Sequence, residues 1–78
     1  MLVQAYVLIE VDGAKAKSVY EKIFKLKGVK SVSTVTGPYD IIVQVEGMGL
    51  AEIGEVVATK IRAVEGVNKT ITCVSVKL

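Results

Sequence analysis

Lys22-Ile23, Leu26 and Gly28-Val29 return as Lys60-Ile61, Val64 and Gly66-Val67, 38 residues further along the chain. Nearer the start of each copy, Val11-Asp12-Gly13 returns as Val45-Glu46-Gly47 after 34 residues. Each copy therefore ends a strand at an acidic-glycine step, runs through a helix and meets a glycine before a second strand. The two offsets differ by four residues, which predicts a second helix about one turn longer than the first. Two strand-helix-strand units in tandem predict an α+β, ferredoxin-like βαββαβ fold, a four-stranded antiparallel sheet with two helices on one face.

Alternation assigns the faces. Over residues 2–11, Val3, Ala5, Val7, Ile9 and Val11 alternate with Leu2, Gln4, Tyr6, Leu8 and Glu10, a strand with one strongly apolar face and one mixed face. Over 14–26, Ala16, Val19, Tyr20, Ile23 and Leu26 recur at helical spacing, and Gly28 supplies the stop. Residues 29–36 are β-branched or small with polar residues on both parities, which suits an edge strand. Gly37-Pro38 turns the chain. Over 39–46, Ile41, Val43 and Val45 share one face and Asp40, Ile42, Gln44 and Glu46 the other.

Leu50, Ile53, Val57, Ile61 and Val64 form the stripe of the second helix. Gly54 inside it costs about 1 kcal/mol relative to Ala; a close approach to the sheet or an unoptimised position each accounts for it. If the last strand, 67–76, keeps the parity of the others, Val67, Ile71 and Cys73 face the helices. Thr70, Thr72, Val74 and Val76 then face away.

With 78 residues the chain is expected to be one domain, 1–78. A core of that size supplies roughly 3–5 kcal/mol, so further stabilisation is expected from elsewhere. A single cysteine and no histidine exclude an internal disulfide, a Cys/His metal cluster and a Cys-His nucleophile. Neither metal nor cofactor is expected, and association is what is left. The 51% apolar content agrees, being more than so small a volume can hide.

A net charge of +2 without Arg-rich runs gives no sign of direct nucleic-acid binding, and a lone Arg62 does not make a phosphate site. Lys15, Lys17, Lys22, Lys25, Lys27 and Lys30, relieved by Glu21 alone, read as a solvated helix face, with a docking surface as the alternative. No apolar run reaches the ~18 residues of a membrane span, and Met1-Leu2-Val3-Gln4 lacks a signal peptide's charged start. A complete, cytoplasmic chain is expected.

The sheet face opposite the helices is bare in a monomer and too apolar to be wet. Tyr6, Leu8, Ile42, Gln44, Val74 and Val76 are its expected contact residues in a sheet-to-sheet dimer or larger closed ring. On the same face Asp40 follows the Gly37-Pro38-Tyr39 turn. It is either an edge charge capping neighbouring backbone or part of a site. A turn with exposed N–H groups beside a carboxylate offers donors for a ligand's carboxyl and an acceptor for its ammonium, as an α-amino acid requires. Thr70 and Thr72, alternate residues of one strand, add hydroxyls or are β-branched filler. Catalysis has little to stand on, because Glu10, Asp12, Asp40 and Glu46 sit at strand ends without forming a forced pair. Cys73, on core parity, reads as an inert small hydrophobe.

Three segments resemble the effector-binding domain of the Lrp/AsnC family of transcriptional regulators, the RAM domain. They are Ala5-Tyr6-Val7-Leu8-Ile9-Glu10-Val11; Val35-Thr36-Gly37-Pro38-Tyr39-Asp40-Ile41-Ile42-Val43; and Glu65-Gly66-Val67-Asn68-Lys69-Thr70-Ile71-Thr72. The resemblance covers essentially the whole chain and lacks the family's N-terminal helix-turn-helix, so a stand-alone module is expected. It implies sheet-to-sheet dimers assembling into rings such as octamers or decamers, with an amino-acid effector bound between dimers. Carried over, the ligand contacts are Gly37, Pro38, Tyr39, Asp40, Thr70 and Thr72, some from a neighbouring subunit. Pro38 departs from the pattern by removing an N–H donor, and signalling would require a partner such as a full-length regulator. The expected role is an amino-acid-binding module in transcriptional regulation. The alternatives are a structural assembly subunit with a vestigial site and, third, a dimeric α+β barrel enzyme.

Overall fold

The structure, a computed structural model, describes residues 2–77. Met1 and Leu78, included in the expected 1–78 domain, lie outside the described residues. Strand β1 (Val3–Val11) leads through a 3-10 turn (Gly13–Lys15) into helix α1 (Ala16–Phe24), then β2 (Val29–Thr34) and β3 (Ile41–Gly47). Helix α2 (Leu50–Glu55) continues as a π-helix (Val56–Ile61) into β4 (Val67–Val74). The strands form one antiparallel sheet in the order β2-β3-β1-β4, the expected ferredoxin-like arrangement with β2 on an edge.

Local chemistry explains the element boundaries. The Asp12 side chain accepts the Ala14 N–H at 3.2 Å and opens the first helical segment. Gly28 and Gly66, the repeated glycines, have φ of +94° and +104°, a region that side chains rarely enter, so both helix-to-strand turns require them. At Gly66 space is also short: a Cβ there would lie 2.9 Å from both Lys15 Cβ and Val19 Cγ2.

The core is a single layer of branched aliphatics between sheet and helices. β1 contributes Ala5, Val7, Ile9 and Val11, and β3 contributes Ile41, Val43 and Val45, as alternation predicts. Val19 and Ile23 of α1 close over them, with Ala16, Tyr20 and Leu26 packed at the margin. The molecule is only 17 Å thin in its shortest dimension, one sheet plus one layer of helix, so the second sheet face carries no layer of this chain.

The second helix departs from expectation in three respects. Against nine α-helical residues in α1 it has six α-helical and six π-helical ones, so it is longer by three residues, not four, and partly differently wound. π-winding turns Val56 inward beside Val57 and Ile61, all three buried, with the Arg62 N–H bonded to the Val57 carbonyl at 2.9 Å. Leu50, assigned to the buried stripe, is 63% exposed at the first position of α2. Gly54 has nothing within 4 Å of where a Cβ would sit, so a close approach to the sheet does not explain it.

Candidate functional site

Residues 35–40 join β2 to β3, and three backbone or side-chain bonds fix them. The Val35 N–H donates to the Asp40 carbonyl at 2.9 Å, closing the loop, and the Asp40 N–H donates to the Ile9 carbonyl at 2.9 Å. The β1–β3 ladder ends at the Ile9–Ile41 pair. One step beyond, Asp40 Oδ2 accepts the Val11 N–H at 2.9 Å, standing where a further β3 carbonyl would be. The capping reading of Asp40 is therefore realised. Its other oxygen has no hydrogen-bond partner among the described residues and is free to accept one. Gly37 at the tip has φ of +143°, a conformation glycine tolerates, and Pro38 beside it has no N–H.

β4 corrects the expected parity. Ala5 pairs with Val74, Val7 with Thr72 and Ile9 with Thr70, whereas Tyr6 pairs with Cys73 and Leu8 with Ile71. Directly opposed residues share a face, so Thr70, Thr72 and Val74 lie on the helix face, and Ile71 and Cys73 on the bare one. The cause is a β-bulge. Glu10 pairs with Lys69 but Val11 with Val67, leaving Asn68 as the extra residue that reverses every side chain after it. Val67 keeps its expected inward place. Cys73 is exposed rather than buried in the core. Thr70 is half-buried and Thr72 exposed, because the helices pack chiefly over β2, β3 and β1.

Of the six expected interface residues, Tyr6, Leu8, Ile42 and Gln44 do lie on the bare face. Val74 does not, and Val76 lies beyond the end of β4, exposed. Ile71 and Cys73 take their places. Across the sheet Ser33, Ile42, Leu8 and Ile71 form one row, and Ser31, Gln44, Tyr6 and Cys73 the next. A polar margin follows: Gln4 Nε2 donates to Glu46 Oε2 at 2.9 Å, Lys30 Nζ lies 3.6 Å from Glu46 Oε1, and the Ser31 hydroxyl donates to Gln44 Oε1 at 3.4 Å. An apolar centre with a polar rim is the pattern of an association surface.

The bulge also makes a cleft that the sequence reading missed. Arg62, just after the π-helix, and Val67, Asn68, Lys69 and Thr70 of β4 line a cavity of about 330 Å³. The acidic residue closest to Arg62 in sequence, Glu65, is bound to Lys15 Nζ at 2.6 Å. That hydrogen bond and the ion pair hold the Glu65 carboxyl below its ordinary pKa and the Lys15 ammonium above its own. Arg62 has no ion-pair partner among the described residues. The signal available in sequence was the Asn68-Lys69 pair, two polar residues in succession where alternation calls for one.

The structure thus brings the turn and the threonines to the same end of β1 but not into contact. Asp40 bonds to Ile9 from one side while Thr70 pairs with Ile9 from the other, about 10 Å apart at two strand spacings. Among the described residues no three His, Cys, Asp or Glu side chains converge as a metal site would require, and no helix is long and apolar enough to cross a membrane.

Comparison with known proteins connects this geometry to a family. The model of the Lrp/AsnC ligand binding domain matches residues 4–78. An uncharacterised HTH-type transcriptional regulator of Pyrococcus furiosus is 40% identical over 74 residues, 91% of this chain and 49% of that protein. The chain spans about half the length of the regulators it matches. Homocitrate synthase of Sulfolobus acidocaldarius is 38% identical over 60 residues, 77% of this chain but 13% of the enzyme. Among solved structures, a protein from Thermus thermophilus superimposes with a TM-score of 0.92 at 34% identity, covering 97% of this chain and 95% of that one. A transcriptional regulator of Neisseria meningitidis, solved as an L-Met complex, shares the fold with a TM-score of 0.86 at 19% identity, covering 96% of this chain and 50% of that one. The chain belongs to the Lrp/AsnC ligand-binding domain family.

Proposed function

We propose that this chain is an amino-acid-binding module of transcriptional regulation, working in the cytoplasm as a sheet-to-sheet dimer or a ring of such dimers and catalysing no reaction. The effector lies between subunits, in contact with Gly37, Pro38, Tyr39 and Asp40 of one and with Thr70 and Thr72 of another. The observation that carries the reading is Asp40, held rigid through one oxygen while the other is free to accept an ammonium beside a turn with unbonded N–H groups. Membership in a ligand-binding family supports it, as does the L-Met complex of a protein with the same fold. A match to a small part of a much larger enzyme is what a portable sensing module would produce. The signal reaches DNA through a DNA-binding partner or a full-length relative.

Isothermal titration with each of the twenty amino acids tests this. One or a few are expected to bind the unmodified protein, and no binding by any would reject it. The rival reading, an assembly subunit without effector, draws on the same residue: one Asp40 oxygen is already committed to the Val11 N–H. It predicts an oligomer indifferent to every amino acid.

A further inference from the structure

Six lysines lie along and just after α1 with Glu21 alone among them, and the structure sorts them. Lys15 is paired with Glu65, and Lys30 lies 3.6 Å from Glu46. Lys22 is near enough to Glu65 to help lower its pKa. Lys17 and Lys25 have no ion-pair partner among the described residues, and Glu21, midway between them in sequence, pairs with neither. The flank that carries Lys17 and Lys25 is also where aromatic surface stays uncovered. Tyr20 and Phe24 stack with ring centroids 6.0 Å apart and planes at 26°, yet Phe24 is 61% exposed.

Tyr20 borders two open grooves. One, of about 580 Å³, runs between Ala16, Lys17 and Tyr20 of α1 and residues 32–34 of the edge strand β2; the other, of about 250 Å³, lies among Tyr20, Glu21, Phe24 and Lys25. Val32 and Thr34 pair with Val43 and Ile41, which face the helices. The flank therefore opens on the helix side, and a second copy seated on the bare sheet face leaves it uncovered. Stacked aromatics at the centre with charges at the margin are the composition of a docking surface, and the sign of the free charges selects its occupant. We propose that the flank between α1 and β2 docks an acidic segment of a partner protein, with one apolar side chain in each groove and carboxylates on either side paired with Lys17 and Lys25. The grooves are a little over one helical turn apart, roughly 7 Å, the distance that alternate residues of an extended segment span at about 3.3 Å per residue. Lys17 and Lys25 are eight residues apart, about 12 Å along the helix, so the carboxylates flank the apolar pair, and Glu21 disfavours one at the centre. A neutral or basic segment would leave both lysines without a partner.

The test is fluorescence anisotropy of the intact protein with the labelled peptide Glu-Glu-Leu-Ser-Phe-Glu-Glu. Saturable binding that weakens as salt rises is expected, and it should be lost with a peptide carrying lysine for every glutamate or serine for the leucine and phenylalanine. Phe24→Ala, and separately the double variant Lys17→Glu with Lys25→Glu, alter only exposed side chains. Each should keep the circular dichroism of the unmodified protein and weaken peptide binding at least about tenfold, and the double variant should bind the lysine peptide instead. No binding at about 1 mM peptide, equal binding of the lysine peptide by the unmodified protein, or unchanged affinity in either variant overturns the proposal. Two other outcomes overturn it by assigning the surface elsewhere. Tighter binding of single-stranded oligothymidine, lost in the double variant, would give the flank to nucleic-acid phosphate, and a lower oligomer mass in Phe24→Ala would give it to a second copy of this chain.

Discussion

Asp40 has two oxygens and two uses for them, and substitution can separate the uses. Asp40→Ala removes the acceptor of the Val11 N–H and should lower stability by about 1–3 kcal/mol, the cost of a half-buried donor losing a charged partner. Asp40→Asn keeps an acceptor oxygen without the charge, so it should hold most of that stability in a denaturant titration yet lose amino-acid binding. An Asp40→Asn protein that binds as well as the unmodified chain removes Asp40 from the site. The capping role was open in the sequence as one of two readings. What alternation could not supply was that the β1–β3 ladder stops one residue short and leaves Val11 needing an acceptor. The Lys15–Glu65 pair makes a prediction with a sign. Glu65 titrates below its ordinary value of 4.5, so its contribution is present above that value and is lost as the pH falls through its lower folded one. Lys15 titrates above 10.5, so its contribution is present below that value and is lost as the pH rises through its higher folded one. Glu65→Gln should therefore flatten the acid limb of Tm against pH, most visibly at low salt; an unchanged acid limb would show that the pair contributes nothing.

Two glycines in and after the second helix should respond to alanine in opposite directions. Gly54 lies in a helix with open space around it, so Gly54→Ala should stabilise by about 0.5–1 kcal/mol. Gly66 combines a φ of +104° with a Cβ position 2.9 Å from Lys15 and Val19, so Gly66→Ala should destabilise by about 2 kcal/mol or more. Chemical denaturation of the two variants measures both, and equal effects would contradict the roles given to these turns. The strands show why sequence reading succeeded in one place and failed in another. β1 and β3 each carry one face of uninterrupted branched aliphatics against a mixed face, so alternation fixes their orientation. β4 has valine or isoleucine on both parities, Ile71 on one and Val74 on the other, so no count of apolar residues could locate the bulge or the inversion it causes. In the second helix the repeat offsets revealed extra length. They carried no information about its π-winding, which turns Val56 inward while Leu50 stays exposed.

At the scale of the molecule, helices cover one sheet face, and the other has an apolar centre of Tyr6, Leu8, Ile42 and Ile71. Ile42 lies in that centre beside Leu8, with Ser33 on its other side. If a second copy covers it, Ile42→Asp buries an unpaired charge, which costs several kcal/mol, roughly 3–5, and should yield monomers on gel filtration. Elution as the unmodified oligomer would place the interface elsewhere. The bare face was legible because a two-layer fold of this topology leaves one face open whatever the details, and β1 and β3 supply its centre. The candidate site was legible only in part: Gly37-Pro38 marked the turn between β2 and β3, but Thr70 and Thr72 were assigned to the bare face, because the bulge at Asn68 that reverses them leaves no mark on the apolar pattern. Native mass spectrometry of the purified protein, alone and with each of the twenty amino acids, measures association and effector binding together. The predicted result is an oligomer that gains the mass of one or a few particular amino acids. A monomer, or an oligomer whose mass no amino acid changes, would contradict it.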